Sequence, residues 1–169
     1  DGIGSNDSPF QSIKHAADIA DNNSKIILKQ GTYSGSLNTN ININKYLTIE
    51  TQGDVTLNGE GKNYFFKVNK DSSLILNNIK FINGYTDSYS QLGAIKNQGK
   101  LLVNNTSFSK MDTVMSTFYN EGELIIDNTI ISNSKSKNIA KSITNLGNCT
   151  ISNSKLNDAI QNDRDLPNI

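Results

Sequence analysis

Residues 95–101, Ile-Lys-Asn-Gln-Gly-Lys-Leu, are one copy of a pattern that returns along the chain. Its clear copies are Ile95-x-Asn97-x-Gly99-x-Leu101, Phe118-x-Asn120-x-Gly122-x-Leu124 and Ile143-x-Asn145-x-Gly147-x-Cys149. Looser copies read Ile41-x-Ile43-x-Lys45-x-Leu47, Val68-x-Lys70-x-Ser72-x-Leu74 and Ile160-x-Asn162-x-Arg164-x-Leu166. The closing positions fall at 47, 74, 101, 124, 149 and 166, in steps of 27, 27, 23, 25 and 17 residues. A recurrence in the twenties marks stacked structural units, each burying its apolar side chains against the next.

The residues after each copy continue the pattern. Leu74 is followed by Leu76, Asn78 and Phe81; Leu101 by Val103, Asn105 and Phe108; Leu124 by Ile126, Asn128 and Ile131; Cys149 by Ile151, Asn153 and Leu156. Apolar and polar residues alternate, which is the period of a strand with one face inward. Gly or Asn stands at each bend, where positive φ costs those residues least. Three short strands per turn predict an all-β fold, a right-handed parallel β-helix whose rungs lie about 4.8 Å apart. Leu74, Leu101, Leu124 and Cys149 then form one interior column, and Phe81, Phe108, Ile131 and Leu156 another. Asn78, Asn105, Asn128 and Asn153 form an asparagine ladder, with amides bonded along the axis. A leucine-rich repeat would need a helical segment in each unit, and a sandwich would not keep its columns at a repeating interval.

The N-terminal stretch has a different period. Ser8 at N-cap, Pro9 at N1 and Gln11 at N3 predict a helix over 8–21, with Phe10, Ile13, Ala16, Ala17 and Ala20 on one face. Such a helix would cover the open end of the first rung, where apolar side chains and a strand edge are otherwise bare. The rungs follow over 26–169, so 1–169 reads as a single β-helix domain. The last copy breaks off at Leu166-Pro167-Asn168-Ile169 with a rung barely begun, and the chain is therefore read as part of a longer protein.

Composition narrows the function classes. Hydrophobic residues are 35% of the 169, and the formal net charge is zero. Asparagine supplies about one residue in six or seven, well above ordinary usage. The lysines are scattered and Arg164 is the only arginine, which argues against nucleic acid as a partner. No run reaches the roughly 18 apolar residues of a membrane helix, so no membrane insertion is expected. Cys149 is the only cysteine and stands in the leucine slot of its repeat, the place of an apolar filler.

The stretch from Ser8-Pro9-Phe10 through Ile13, Ala16-Ala17, Ile26-Ile27-Leu28 and Gly31-Thr32-Tyr33 resembles the opening of pectate-lyase-like β-helix proteins. Gly93-Ala94-Ile95-x-Asn97-x-Gly99 with Asn104-Asn105-Thr106-x-Phe108 resembles the repeats of adhesin-like surface proteins of methanogenic archaea. Those repeats are similar in turn to chlamydial polymorphic outer-membrane proteins. One departure is that the Gly-Gly-Ala-Ile form of such repeats is reduced here to Leu92-Gly93-Ala94-Ile95. The resemblance implies an extracellular, cell-surface location and a role in adhesion or cell-envelope structure. Partners would be surface glycans, surface proteins or further copies of the chain.

The catalytic alternatives find little support in the residues. A calcium-dependent lyase needs converging carboxylates and a base, and a glycoside hydrolase needs two carboxylates roughly 5 to 10 Å apart. Asp127 aligns with Asn77, Asn104 and Ser152. Glu121 and Glu123 align with Gln98 and Lys100, then with Leu146 and Asn148. No acidic column forms, and Arg164 has no basic neighbour. His15 is the only histidine and lacks a second ligand at helical spacing; Asp18 and Asp21 read as a solvated helix face. No catalytic residue, metal or cofactor is therefore expected. The binding candidate is the long connection Gly84–Gln91, where Tyr85 and Tyr89 can stack on sugar rings or anchor a protein, with Asp87 between them. Met111, Met115 and Tyr119 near the next connection carry less signal. The expectation is a non-catalytic surface module, with a polysaccharide lyase or hydrolase and a self-assembling filament subunit as alternatives.

Overall fold

A computed structural model describes residues 2–137, 142–156 and 160–162. The chain winds into a parallel β-solenoid of about five turns, with strands on three faces. Two long strands, Ser24–Ser34 and Tyr46–Asn58, each run across the first face and onto the second. The first face continues with Ser73–Asn77, Lys100–Asn104, Glu123–Asp127 and Asn148–Ser152. The second continues with Ile79–Ile82, Ser107–Ser109 and Ile130–Ser132. The third holds Ile41–Ile43, Phe66–Val68, Gly93–Asn97, Ser116–Asn120, Ile143–Asn145 and Ile160–Asn162. A small additional ladder, Asp112–Thr113 beside Lys135–Ser136, lies at the corner between the second and third faces.

The expected columns are present. Leu47, Leu74, Leu101, Leu124 and Cys149 are successive register partners, as are Leu76, Val103, Ile126 and Ile151. On the second face Phe81, Phe108 and Ile131 align, and Leu156 packs against the same core. The rings of Phe81 and Phe108 stack 4.6 Å apart, and Phe118 from the third face meets Phe108 edge-on at 4.7 Å. Full burial of each such side chain contributes roughly 1.5–3 kcal/mol, which is why a chain so poor in apolar residues still folds. Cys149 is only half-buried at the end of its column, and burial pushes its thiol above the usual range.

One copy of the pattern aligns differently from its spacing. Phe66, not Val68, pairs with Ile95, and Val68 pairs with Asn97. Leu74 nevertheless pairs with Leu101. Two extra residues are therefore taken up at 69–72, between the third and first faces. There Asp71 adopts φ 59°, and the Ser72 hydroxyl donates to the carbonyls of Asn69 and Ile43.

The motif glycines at the equivalent corner serve close approach rather than positive φ. A Cβ on Gly99 would lie 2.3 Å from the Ser72 carbonyl oxygen, and one on Gly122 or Gly147 would lie 2.1 Å from the glycine oxygen of the preceding rung. Positive φ recurs instead at the next corner, between the first and second faces, and again after the second face at Asn83, Lys110 and Asn133. Between the first two faces Asn78, Asn105, Asn128 and Asn153 have φ of 62°, 49°, 45° and 48°. This is the expected ladder, and it is exposed. Asn105 Nδ2 donates to Asn78 Oδ1 at 2.5 Å and Asn128 Nδ2 to Asn105 Oδ1 at 3.0 Å. The last step differs from expectation: Asn153 Nδ2 donates to Asp127 Oδ1, because the carboxylate is the stronger acceptor within reach.

A second ladder runs inside the third face. Asn97 Nδ2 donates to Asn120 Oδ1, and Asn120 Nδ2 to Asn145 Oδ1, both at 2.7 Å; Asn145 Nδ2 donates to Asn162 Oδ1 at 3.3 Å. Asn97 and Asn120 are fully buried. The ladder starts where an asparagine sits on Val68, and Asn97 Oδ1 is accordingly buried without a partner.

The N-terminal helix spans Ile13–Ile19 with Ser12 at its N-cap, shorter than the expected 8–21. Its first free N–H groups are already taken: Ile13 donates to Asn38 Oδ1, Lys14 to the Leu37 carbonyl and His15 to Ser12 Oγ. Those partners fix the start at Ile13. Phe10 instead sits outside the helix, edge-on to His15. Ile13, Ala16 and Ala17 face the core, so the helix does cover the first coil. Lys45 Nζ binds the carbonyls of Asp18 and Ala20 at the helix end. Ser12→Ala is expected to cost about 1 kcal/mol in urea unfolding, whereas Ser8→Ala leaves the midpoint in place. Arg164 and Leu166 of the last copy, and the tail beyond, lie outside the described residues; Ile160 and Asn162 pair in register with Ile143 and Asn145.

Candidate functional site

The connection from Gly84 leaves the second face and returns to the third at Gly93. Its ends are held by the neighbouring rungs. Tyr85 N–H donates to the Asn63 carbonyl, Thr86 N–H to the Asp112 carbonyl, and Val114 N–H to Thr86 Oγ1. Gln91 is buried, and its amide donates to the carbonyls of Phe66 and Gly93 at 3.3 and 3.1 Å. Ser88 and Ser90 hydroxyls lie 2.7 Å apart, and Lys96 Nζ donates to the Ser90 carbonyl at 3.1 Å. A polar loop so anchored forms one wall of a surface groove of about 490 Å³.

The groove brings together Tyr85 and Asp87 with Tyr64, Lys62, Lys67 and Asn42. Tyr85 and Tyr64 are half-buried, and burial pushes the Tyr64 phenol above its usual value, so it remains a hydroxyl donor. Tyr89 does not line the groove; it stands 71% exposed at the loop tip. Sequence reasoning passed over Tyr64, Lys62 and Lys67, which belong to the preceding rung and become neighbours of the loop only when the rungs stack. Met111 lies in the main core, while Met115 and Tyr119 form a small cluster with Val114 against Leu92.

The carboxylates are dispersed. Glu123 pairs with Lys100 at 3.1 Å and Glu121 with Lys96 at 3.7 Å. Asp127 accepts from Ser152 Oγ at 2.7 Å and Asn153 Nδ2 at 2.8 Å, and these bonds, the serine first, hold its carboxyl below the usual range. Any stability this adds is present above the ordinary carboxylate range and lost as pH falls through the lowered value. In an NMR titration Ser152→Ala should move the Asp127 midpoint upward. Among the described residues no three His, Cys, Asp or Glu side chains are grouped to hold a metal ion, and no helix is long and apolar enough to cross a membrane. A larger cleft of about 920 Å³, lined by Phe10, Ile13, Ala16, Ile26 and Leu28 among others, is the seam between the helix and the first coil.

The groove offers aromatic side chains, two ammonium groups, one carboxylate and amides around open space. The chain matches no protein-family model, and no curated protein is significantly similar to it. The class that the coordinates define is a parallel β-solenoid with a lateral groove.

Proposed function

We propose that this chain is a non-catalytic module of an extracellular, cell-surface protein, serving adhesion or envelope structure by presenting a lateral groove on a stiff rod. The observation that carries this reading is the anchored loop 84–92, which brings Tyr85 to a groove that Tyr64 also lines, on rungs bridged by the exposed asparagine ladder. Ladder-bonded rungs supply rigidity, and a connection on a repeat scaffold supplies the contact surface. Antibody labelling of intact cells that make the protein should stain their exterior. Labelling seen only after the cells are opened would reject the reading. Incubation with acidic and neutral polysaccharides should release no new chain ends; release abolished by substituting groove residues would establish the enzyme alternative instead. One observation favours a second reading as a self-assembling subunit: among the described residues, strand Ser24–Ser34 is paired on one side only. Concentration-dependent oligomers in sedimentation would support it.

A further inference from the structure

Among the described residues, charges stacked in register are otherwise of opposite sign. Lys100 lies in register with Glu123 and Asp112 with Lys135, and Lys25 and Lys80 bond Glu50 and Asp54 of neighbouring rungs. Lys67 is the exception, being in register with Lys96, another lysine. Like charges directly opposite one another destabilise a sheet. Lys96 is neutralised by Glu121, lies over the Tyr119 ring and bonds the Ser90 carbonyl. Among the described residues Lys67 has no carboxylate partner, and neither does Lys62, which also lines the groove. Among the described residues Asp87 is the one acid lining the groove, against Lys62 and Lys67, so the groove, which Tyr64 and Tyr85 also line, keeps an excess positive charge.

We infer that this groove takes an anionic saccharide, with the sugar ring against Tyr64 and Tyr85 and its carboxylate or sulfate at Lys62 and Lys67. Sugar rings stack on tyrosine faces, and ammonium groups form charge-assisted bonds to anionic oxygens. Asp87 and Asn42 accept from and donate to the ring hydroxyls. The bound anion would supply the countercharge that the Lys67–Lys96 stack lacks within the chain. This inference rests on the display reading and names the ligand class of its groove.

The test is calorimetric titration with three hexasaccharide probes: an oligogalacturonate, a sulfated heparin fragment and uncharged maltohexaose. At least one anionic probe should bind saturably at one site, at least about tenfold tighter than maltohexaose. Binding of the oligogalacturonate alone identifies a carboxylate ligand, and binding of the heparin fragment alone a sulfate. Lys67→Gln and Tyr85→Ala should each weaken that binding by about tenfold or more, while Lys80→Gln on the second face leaves it unchanged. Lys67→Gln should unfold no earlier than the parent chain, since it removes a like-charge contact. The inference is overturned if neither anionic probe saturates, if maltohexaose binds as tightly, or if Lys80→Gln costs as much as Lys67→Gln. In those cases surface labelling decides the display reading separately.

Discussion

Gly122→Ala should lower the thermal midpoint of this chain by roughly 6–12 °C, read from the loss of the strand signal in circular dichroism. The added methyl group would lie 2.1 Å from the Gly99 carbonyl oxygen and 2.8 Å from the Gln98 carbonyl carbon. Both are backbone atoms of the preceding rung, so no side chain can swing aside. Glu123 N–H donates to that same Gly99 oxygen at 2.8 Å, and Asn148 N–H to the Gly122 oxygen at 2.8 Å. Moving the corner away would stretch these bonds on both sides. Overpacking against fixed backbone costs about 3 kcal/mol. Gly61→Ala is the contrasting substitution: its φ is 66° but nothing lies within 4 Å of the new Cβ. It should cost only about 1 kcal/mol, the expense of a left-handed conformation alone. Equal midpoints for the two variants would refute close approach as the reason for the motif glycines.

Asn120→Leu should cost about 4 kcal/mol in urea unfolding, the largest single effect expected here. Asn120 Nδ2 donates to Asn145 Oδ1 and to the carbonyls of Gly122 and Asn148, at 2.7, 3.2 and 3.0 Å. Its Oδ1 accepts from Asn97 Nδ2 and from Gly122 N–H at 3.3 Å. Leucine fills similar volume, so the cost comes from polar groups left short of a partner, the fully buried Asn97 amide first, rather than from a cavity. Asn105→Ala removes a member of the other ladder, where water can replace both amide bonds, and should cost less than about 1 kcal/mol. A difference below measurement error between these two variants would show that burial does not set the value of the ladders.

The fold was legible because the interior columns are written as period-two alternation at a recurring interval. Leu74, Leu101 and Leu124 lie over one another as their spacing requires. The exposed ladder was legible for the same reason. The buried ladder was in view as the motif asparagine, but the pattern of a polar residue among apolar ones reads as outward-facing; only the third face's inward orientation of Asn97 and Asn120 reveals otherwise. The helix start was misplaced because Ser8-Pro9 carries a local capping signal, while the partners that fix Ile13 come from Leu37 and Asn38, distant in sequence. The site was half legible. Tyr85 and Asp87 line the groove, but Lys67 was hidden by the extra residues at 69–72, since aligning Val68 with Ile95 sets Asn69, not Lys67, opposite Lys96.

Connections between the second and third faces run over 35–40, 59–65, 83–92 and 110–115, while the strands they join keep constant register. Among the described residues, length therefore varies more at that corner than at the other two. A foreign peptide spliced in place of 87–90, flanked by the anchoring Thr86 and Gln91, should be carried without unwinding the coil. Successive corners could hold different inserts at a fixed pitch, which makes the chain a ruler on which separate recognition loops can be set side by side.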